Sequence, residues 1–110
     1  MKKAKKERLQ KAGWKVGSVQ DFLGLSDEEA AMVAMKLALA RGLKERRVAQ
    51  GLTQDELAKR LGSSQSRVAK MESADATVSI DLVIRALLVL GVTREQVGRI
   101  IGHRGGPPVA

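Results

Sequence analysis

Cysteine is absent from this chain of 110 residues, and aromatic side chains nearly so: one Trp, one Phe and no Tyr. Without cysteine there are no disulfides and no cysteine-bound zinc. With so few aromatics there is no platform for stacking the bases of single strands or of RNA. The core must be built from Leu, Val, Ile, Met and Ala. The single histidine, His103, stands in a Gly-rich tail and makes no metal site alone, so neither metal nor cofactor is expected. No apolar run approaches the roughly 18 residues that span a membrane. The stretch 32–40 is too short, and charges bracket it. The N-terminal charges lead into polar residues rather than an apolar run, so no secretory signal is read. The expected location is the cytoplasm. No Ser/His/Asp, Cys/His or paired-carboxylate arrangement is present: Glu28 and Glu29 read as a helix start. Enzymatic activity is not expected.

What is abundant is positive charge. The net charge is +8 and the pI about 10.3, which favours a polyanionic partner, nucleic acid first. Residues 1–15 hold seven basic residues (Lys2, Lys3, Lys5, Lys6, Arg8, Lys11, Lys15) and one acid, Glu7. The other thirteen basic residues face eleven acids, so the basic character is mostly an arm. That arm is either a solvated tail or a grip on phosphates.

The chain reads as all-α with five helices. After the basic arm 1–13 comes an irregular segment in which Trp14, Val16, Val19, Phe22, Leu23 and Leu25 alternate with Gly13, Gly17 and Gly24. Trp14 and Phe22 are expected to plug the core; if exposed, they become anchors for a partner. Ser26 with Glu29 forms a capping box that opens a long helix from about Asp27 to Ala49. Its expected apolar stripe is Met32, Met35, Leu39, Leu43 and Val48, weakened at Gly42 and stopped at Gly51. Thr53 caps a helix Gln54–Leu61, though its box reads as imperfect. Ser63 or Ser64 caps the next, Gln65–Glu72. Ser79 caps a helix over 80–90, with Leu82, Val83, Ala86, Leu87 and Leu90 as its buried stripe. Thr93 opens a last helix carrying Val97, Ile100 and Ile101, and 102–110 is a Gly/Pro tail. Part of that last aliphatic face reads as surplus to the core and so as a two-fold contact.

Residues 53–72 are the most informative. Leu57, Ala58 and Leu61, then Val68, Ala69 and Met71, are the apolar faces of two short helices, and Gly62 sits at the turn between them. So short a link leaves the start of the second helix exposed. Gln65, Ser66, Arg67 and Lys70 stand there, and such side chains suit base edges and phosphates in a major groove. The backbone N–H groups at Thr53–Asp55 and near Ser64 are ready donors for phosphate.

At residues 43–97 the chain resembles the Cro/C1-type helix-turn-helix proteins of phage repressors, the Xre family. Arg47, Gly51-Leu52-Thr53-Gln54, Glu56-Leu57-Ala58, Leu61-Gly62, Ser64-Gln65-Ser66, Val68 and Glu72 carry the likeness. The resemblance implies a lambda-repressor-like domain at 43–97, preceded by a segment 14–42 that includes the start of the long helix. Residues 98–110 close the chain. It also implies roles. Gln54 contacts a phosphate and hydrogen-bonds Gln65; Ser66 and Lys70 occupy groove positions; Arg47 and Glu72 form a structural ion pair. Arg67 is larger than the small residue often found there, which leaves base and phosphate roles open. Ser73-Ala74-Asp75 replaces an Asn-Gly turn. The segment 21–29 with the long helix looks like antitoxins of the HigA type, which pair with a RelE-like toxin protein and repress their own operon.

The function these features imply is a sequence-specific repressor of double-stranded DNA, a homodimer, and the antitoxin of a toxin–antitoxin pair. A solitary Xre-type regulator is the alternative, and a non-DNA adaptor on the same fold comes third.

Overall fold

The computed structural model describes residues 21–102. The basic arm, Trp14, His103 and the Gly/Pro tail lie outside the described residues. The chain divides into two units after Ala34, inside the longest helix among the described residues.

In the first unit, residues 21–23 are helical. The irregular segment read from the sequence is therefore helical at its end, and the long helix is not the first helical piece. Gly24 turns the chain at φ 69°. Ser26 then caps α1, Asp27–Ala49. Its hydroxyl accepts from the Glu29 N–H at 3.1 Å, and the Glu29 carboxylate accepts from the Ser26 N–H at 2.9 Å. These bonds hold the Glu29 carboxyl below its usual pKa. Phe22 is 39% exposed, so the expectation of a core plug fails for it. Leu23, Met32 and Val33 are also exposed.

The second unit holds the rest of α1 and four helices: α2, Gln54–Leu61; α3, Gln65–Glu72; α4, Ile80–Val89; and α5, Arg94–Ile101. No strand occurs among the described residues. Leu39 and Leu43 of α1 meet Leu57, Ala58, Val68, Met71, Val83, Ala86, Leu87 and Val97 in one core. Met32 and Val48, assigned to the same stripe from spacing, are exposed. The core covers only part of a helix this long, and spacing alone does not say which part. Gly42 leaves α1 unbroken. It is a close approach, because a Cβ there would meet Ile100 of α5 at 3.1 Å. Ile100 and Ile101 pack against the core, each only partly buried, and Val97 is 7% exposed. The large apolar side chains left exposed on α4 are Leu88 and Val89.

The ends of the helices are tied by polar groups. The Gln50 amide donates to the Leu90 carbonyl at 2.7 Å, joining the ends of α1 and α4. Ser79 caps α4, and Thr93 with Gln96 forms the box that opens α5.

Candidate nucleic-acid interface

The helix pair α2–α3 is built by its caps. Thr53 accepts from the Glu56 N–H at 3.1 Å and Glu56 accepts from the Thr53 N–H at 2.9 Å, so the box is complete rather than imperfect. These bonds hold the Glu56 carboxyl below its usual pKa. Gly62, at φ 65°, ends α2 in the left-handed region that glycine tolerates without a Cβ clash. Two residues later Ser64 caps α3, accepting from the Arg67 N–H at 3.2 Å. Leu57 and Ala58 on one side and Val68 and Met71 on the other seal the joint. The polar start of α3 is thereby left in solvent: Gln65, Ser66, Arg67 and Lys70 are all exposed.

Behind that face runs a chain of hydrogen bonds. The Arg47 guanidinium meets the Glu72 carboxylate through Nε at 2.6 Å and through a terminal nitrogen at 3.1 Å. Its other terminal nitrogen donates to the Leu52 carbonyl at 2.7 Å. The side chains are 12% and 4% exposed, and Glu72 raises the Arg47 pKa. Gln54 Nε2 donates to Glu72 at 3.1 Å, and Gln65 Nε2 donates to Gln54 Oε1 at 2.6 Å. A carboxylate only accepts. Glu72 therefore draws the amide nitrogen of Gln54 inward and turns its carbonyl toward Gln65. Gln65 spends one N–H on Gln54 and retains its own carbonyl and a second N–H.

The residues expected from sequence to form the site thus fall into two groups. Arg47, Gln54, Gln65 and Glu72 form the relay. Ser64, Ser66, Arg67 and Lys70 line an open cavity of about 270 Å³ together with Thr77 and Val78. Thr53 stands apart at the head of α2. Ser66 Oγ lies 3.3 Å from Ser64 Oγ. Thr77 is not among the residues the sequence points to, and nothing in its spacing marks it. Asp75 accepts from both its N–H and its hydroxyl, at 2.8 and 2.6 Å, which keeps the Asp75 carboxyl below its usual pKa.

A helix-turn-helix family model matches residues 43–97, half of the chain. The chain belongs to the Cro/C1-type helix-turn-helix family. Comparison with curated proteins and with solved structures gave no match. As a family member the protein is a DNA-binding transcriptional regulator, and its partner is double-stranded DNA. Among the described residues no group of side chains could hold a metal ion, and no helix is long and apolar enough to cross a membrane.

Proposed function

We propose that this regulator is a sequence-specific repressor that sets α3 in the major groove. The observation that carries the reading is the relay from Arg47 to Gln65. It leaves the Gln65 amide with one acceptor and one donor outward, the pattern that matches N6–H and N7 of adenine. Ser66 reads beside it, Arg67 and Lys70 meet base edges or phosphates, and the N–H groups heading α2 and α3, at Gln54 and Asp55 after the Thr53 cap and near Ser64, hold phosphates. The activity is binding in the cytoplasm, with no enzymatic step. The test is selection of duplexes from a randomised library, followed by Gln65→Ala. The variant should lose roughly 1–3 kcal/mol on the selected duplex and little on random DNA. Equal loss on both removes the base-reading role.

The repressor acts as a homodimer on half-sites about 34 Å apart. Sedimentation of the protein with and without a selected palindromic duplex tests this. A monomer on a single half-site would reject it.

A protein partner is the finer proposal, with the chain as the antitoxin of a RelE-like toxin. Its support is the segment 21–35, which holds four acids (Asp21, Asp27, Glu28, Glu29) and no basic residue in a chain of net +8. Leu23, Met32 and Val33 are exposed beside those acids. Such a surface repels DNA and suits a basic protein with apolar anchors. If a neighbouring small reading frame arrests growth alone and not when co-expressed with this chain, the antitoxin reading holds. If no neighbour does so, the protein is a solitary regulator.

A further inference from the structure

The loop that follows α3 is strained and is held from a distance. The Asp75 N–H donates to the Lys70 carbonyl at 3.0 Å and the Ala74 N–H to the Met71 carbonyl at 3.2 Å, a left-handed helix cap. The cap places Ala74 at φ 56°, and among the described residues no other non-glycine has a positive φ. That position favours glycine because a Cβ crowds the following carbonyl. Locally, the Ser73 hydroxyl donates to the Lys70 carbonyl and the Val78 N–H to the Asp75 carbonyl, each at 3.1 Å. One long-range bond reaches it: the Lys36 ammonium donates to the Asp75 carbonyl oxygen at 2.7 Å across 39 residues.

Lys36 is an odd residue where it stands. It is the only charged side chain between Glu29 and Arg41, in a run of Ala, Met, Val and Leu. It is partly buried, and an ammonium taken from water is costly unless it finds an acceptor. It also lies before the segment that matches the family model. The acceptor it finds belongs to the loop carrying Thr77 and Val78, which line the same cavity as Ser64, Ser66, Arg67 and Lys70.

We propose that Lys36 is a positioning residue for DNA binding: by holding the Asp75 carbonyl it fixes the α3–α4 loop so that Thr77 forms the second wall of the recognition groove. The inference rests on the DNA-binding reading above. It extends the DNA-binding machinery back along α1, beyond the matched segment. Lys36 itself touches no phosphate in this scheme. It acts on the shape of the groove and not on its charge.

The probe is a duplex selected by the wild-type protein from a randomised library. Affinity is measured over a series of salt concentrations for Lys36→Met, for Ala74→Gly and for the double variant, with helicity followed by circular dichroism. Loss of a bond to a charged donor corresponds to a loss on the order of tenfold, so Lys36→Met should weaken binding by about that factor. The slope of log affinity against log salt should stay as in the wild type. Ala74→Gly should restore most of the affinity in the double variant, because glycine holds the left-handed turn without help. This rescue decides the matter even where Lys36→Met alone folds poorly.

Unchanged affinity in Lys36→Met overturns the proposal. So does a slope smaller by about 0.9, which would mean that Lys36 contacts a phosphate directly. A loss that Ala74→Gly leaves unrescued also overturns it, since Lys36 would then support α1 and not the loop. A wild-type protein that enriches no duplex overturns the DNA reading itself, a result separate from any behaviour of the Lys36 variants.

Discussion

Arg47 and Glu72 are 25 residues apart and meet through two nitrogens and two oxygens, with little of either side chain left in solvent. A pair this sheltered behaves unlike an exposed one, which contributes roughly 0–1 kcal/mol. Removing one partner strands the other, and losses of about 3–5 kcal/mol are typical of full burial. Arg47→Met and Glu72→Leu should each destabilise the fold, and a double-mutant cycle should show coupling well above the few tenths of a kcal/mol seen between independent sites. Additive losses in denaturant melts would show that the pair contributes nothing jointly. Glu72 also orients Gln54, so Glu72→Leu should relax base preference in the duplex-selection assay. The spacing of Arg47, Gln54, Gln65 and Glu72 was legible in the sequence through the family likeness, because each sits at a fixed offset from a cap or a turn. Lys36 was not. A lysine in an apolar run has no periodic signal, and its acceptor is a backbone carbonyl, which no residue type advertises.

Helix boundaries were legible for the same local reason: Ser26, Thr53, Ser64, Ser79 and Thr93 each satisfy N–H groups within three residues of themselves. Which face of each helix meets the core was less so, since that depends on partners far along the chain. Val48 repeats at a helical interval and is exposed, whereas Ile100 lies against Gly42. Gly42→Ala would gain up to about 1 kcal/mol in helix propensity but crowds Ile100. Gly42→Ala should therefore give a lower melting temperature than the wild type, since its Cβ would meet Ile100 Cγ2 at 3.1 Å and Cδ1 at 3.2 Å. An equal or higher value would show that α5 moves aside freely. Acid should act through the caps. The Glu29, Glu56 and Asp75 carboxyls are all lowered by hydrogen bonds to their neighbours. A lowered folded pKa contributes stability that is present above the unfolded value, about 4, and is lost as pH falls through the folded one. Melting temperature should therefore stay level from neutral pH to about 5 and fall below about 4. Glu56→Gln, which keeps an acceptor for the Thr53 N–H, should fall less steeply there. An identical acid limb would remove Glu56 from the cause.

At the scale of the whole molecule, charge is divided by task. Residues 1–15 hold seven of the twenty basic residues, residues 21–35 hold acids and no basic residue, and Arg67 and Lys70 stand on the groove. If the N-terminal lysines meet phosphates, they add affinity without reading sequence, because a point charge on the backbone sees the same phosphate everywhere. Deleting residues 1–12 removes Lys2, Lys3, Lys5, Lys6, Arg8 and Lys11. For every phosphate that then goes without its basic side chain, the dependence of log affinity on log salt should flatten by about 0.9. The predicted outcome is a drop of several units in that slope, weaker binding to selected and random duplexes alike, and an unchanged ratio between them. Filter binding of both proteins over a salt series measures all three quantities. A slope that does not move would mean that the arm stays in solvent when DNA is bound, and the charge that draws the protein to DNA would then reside in Arg67, Lys70 and their neighbours on the folded domain.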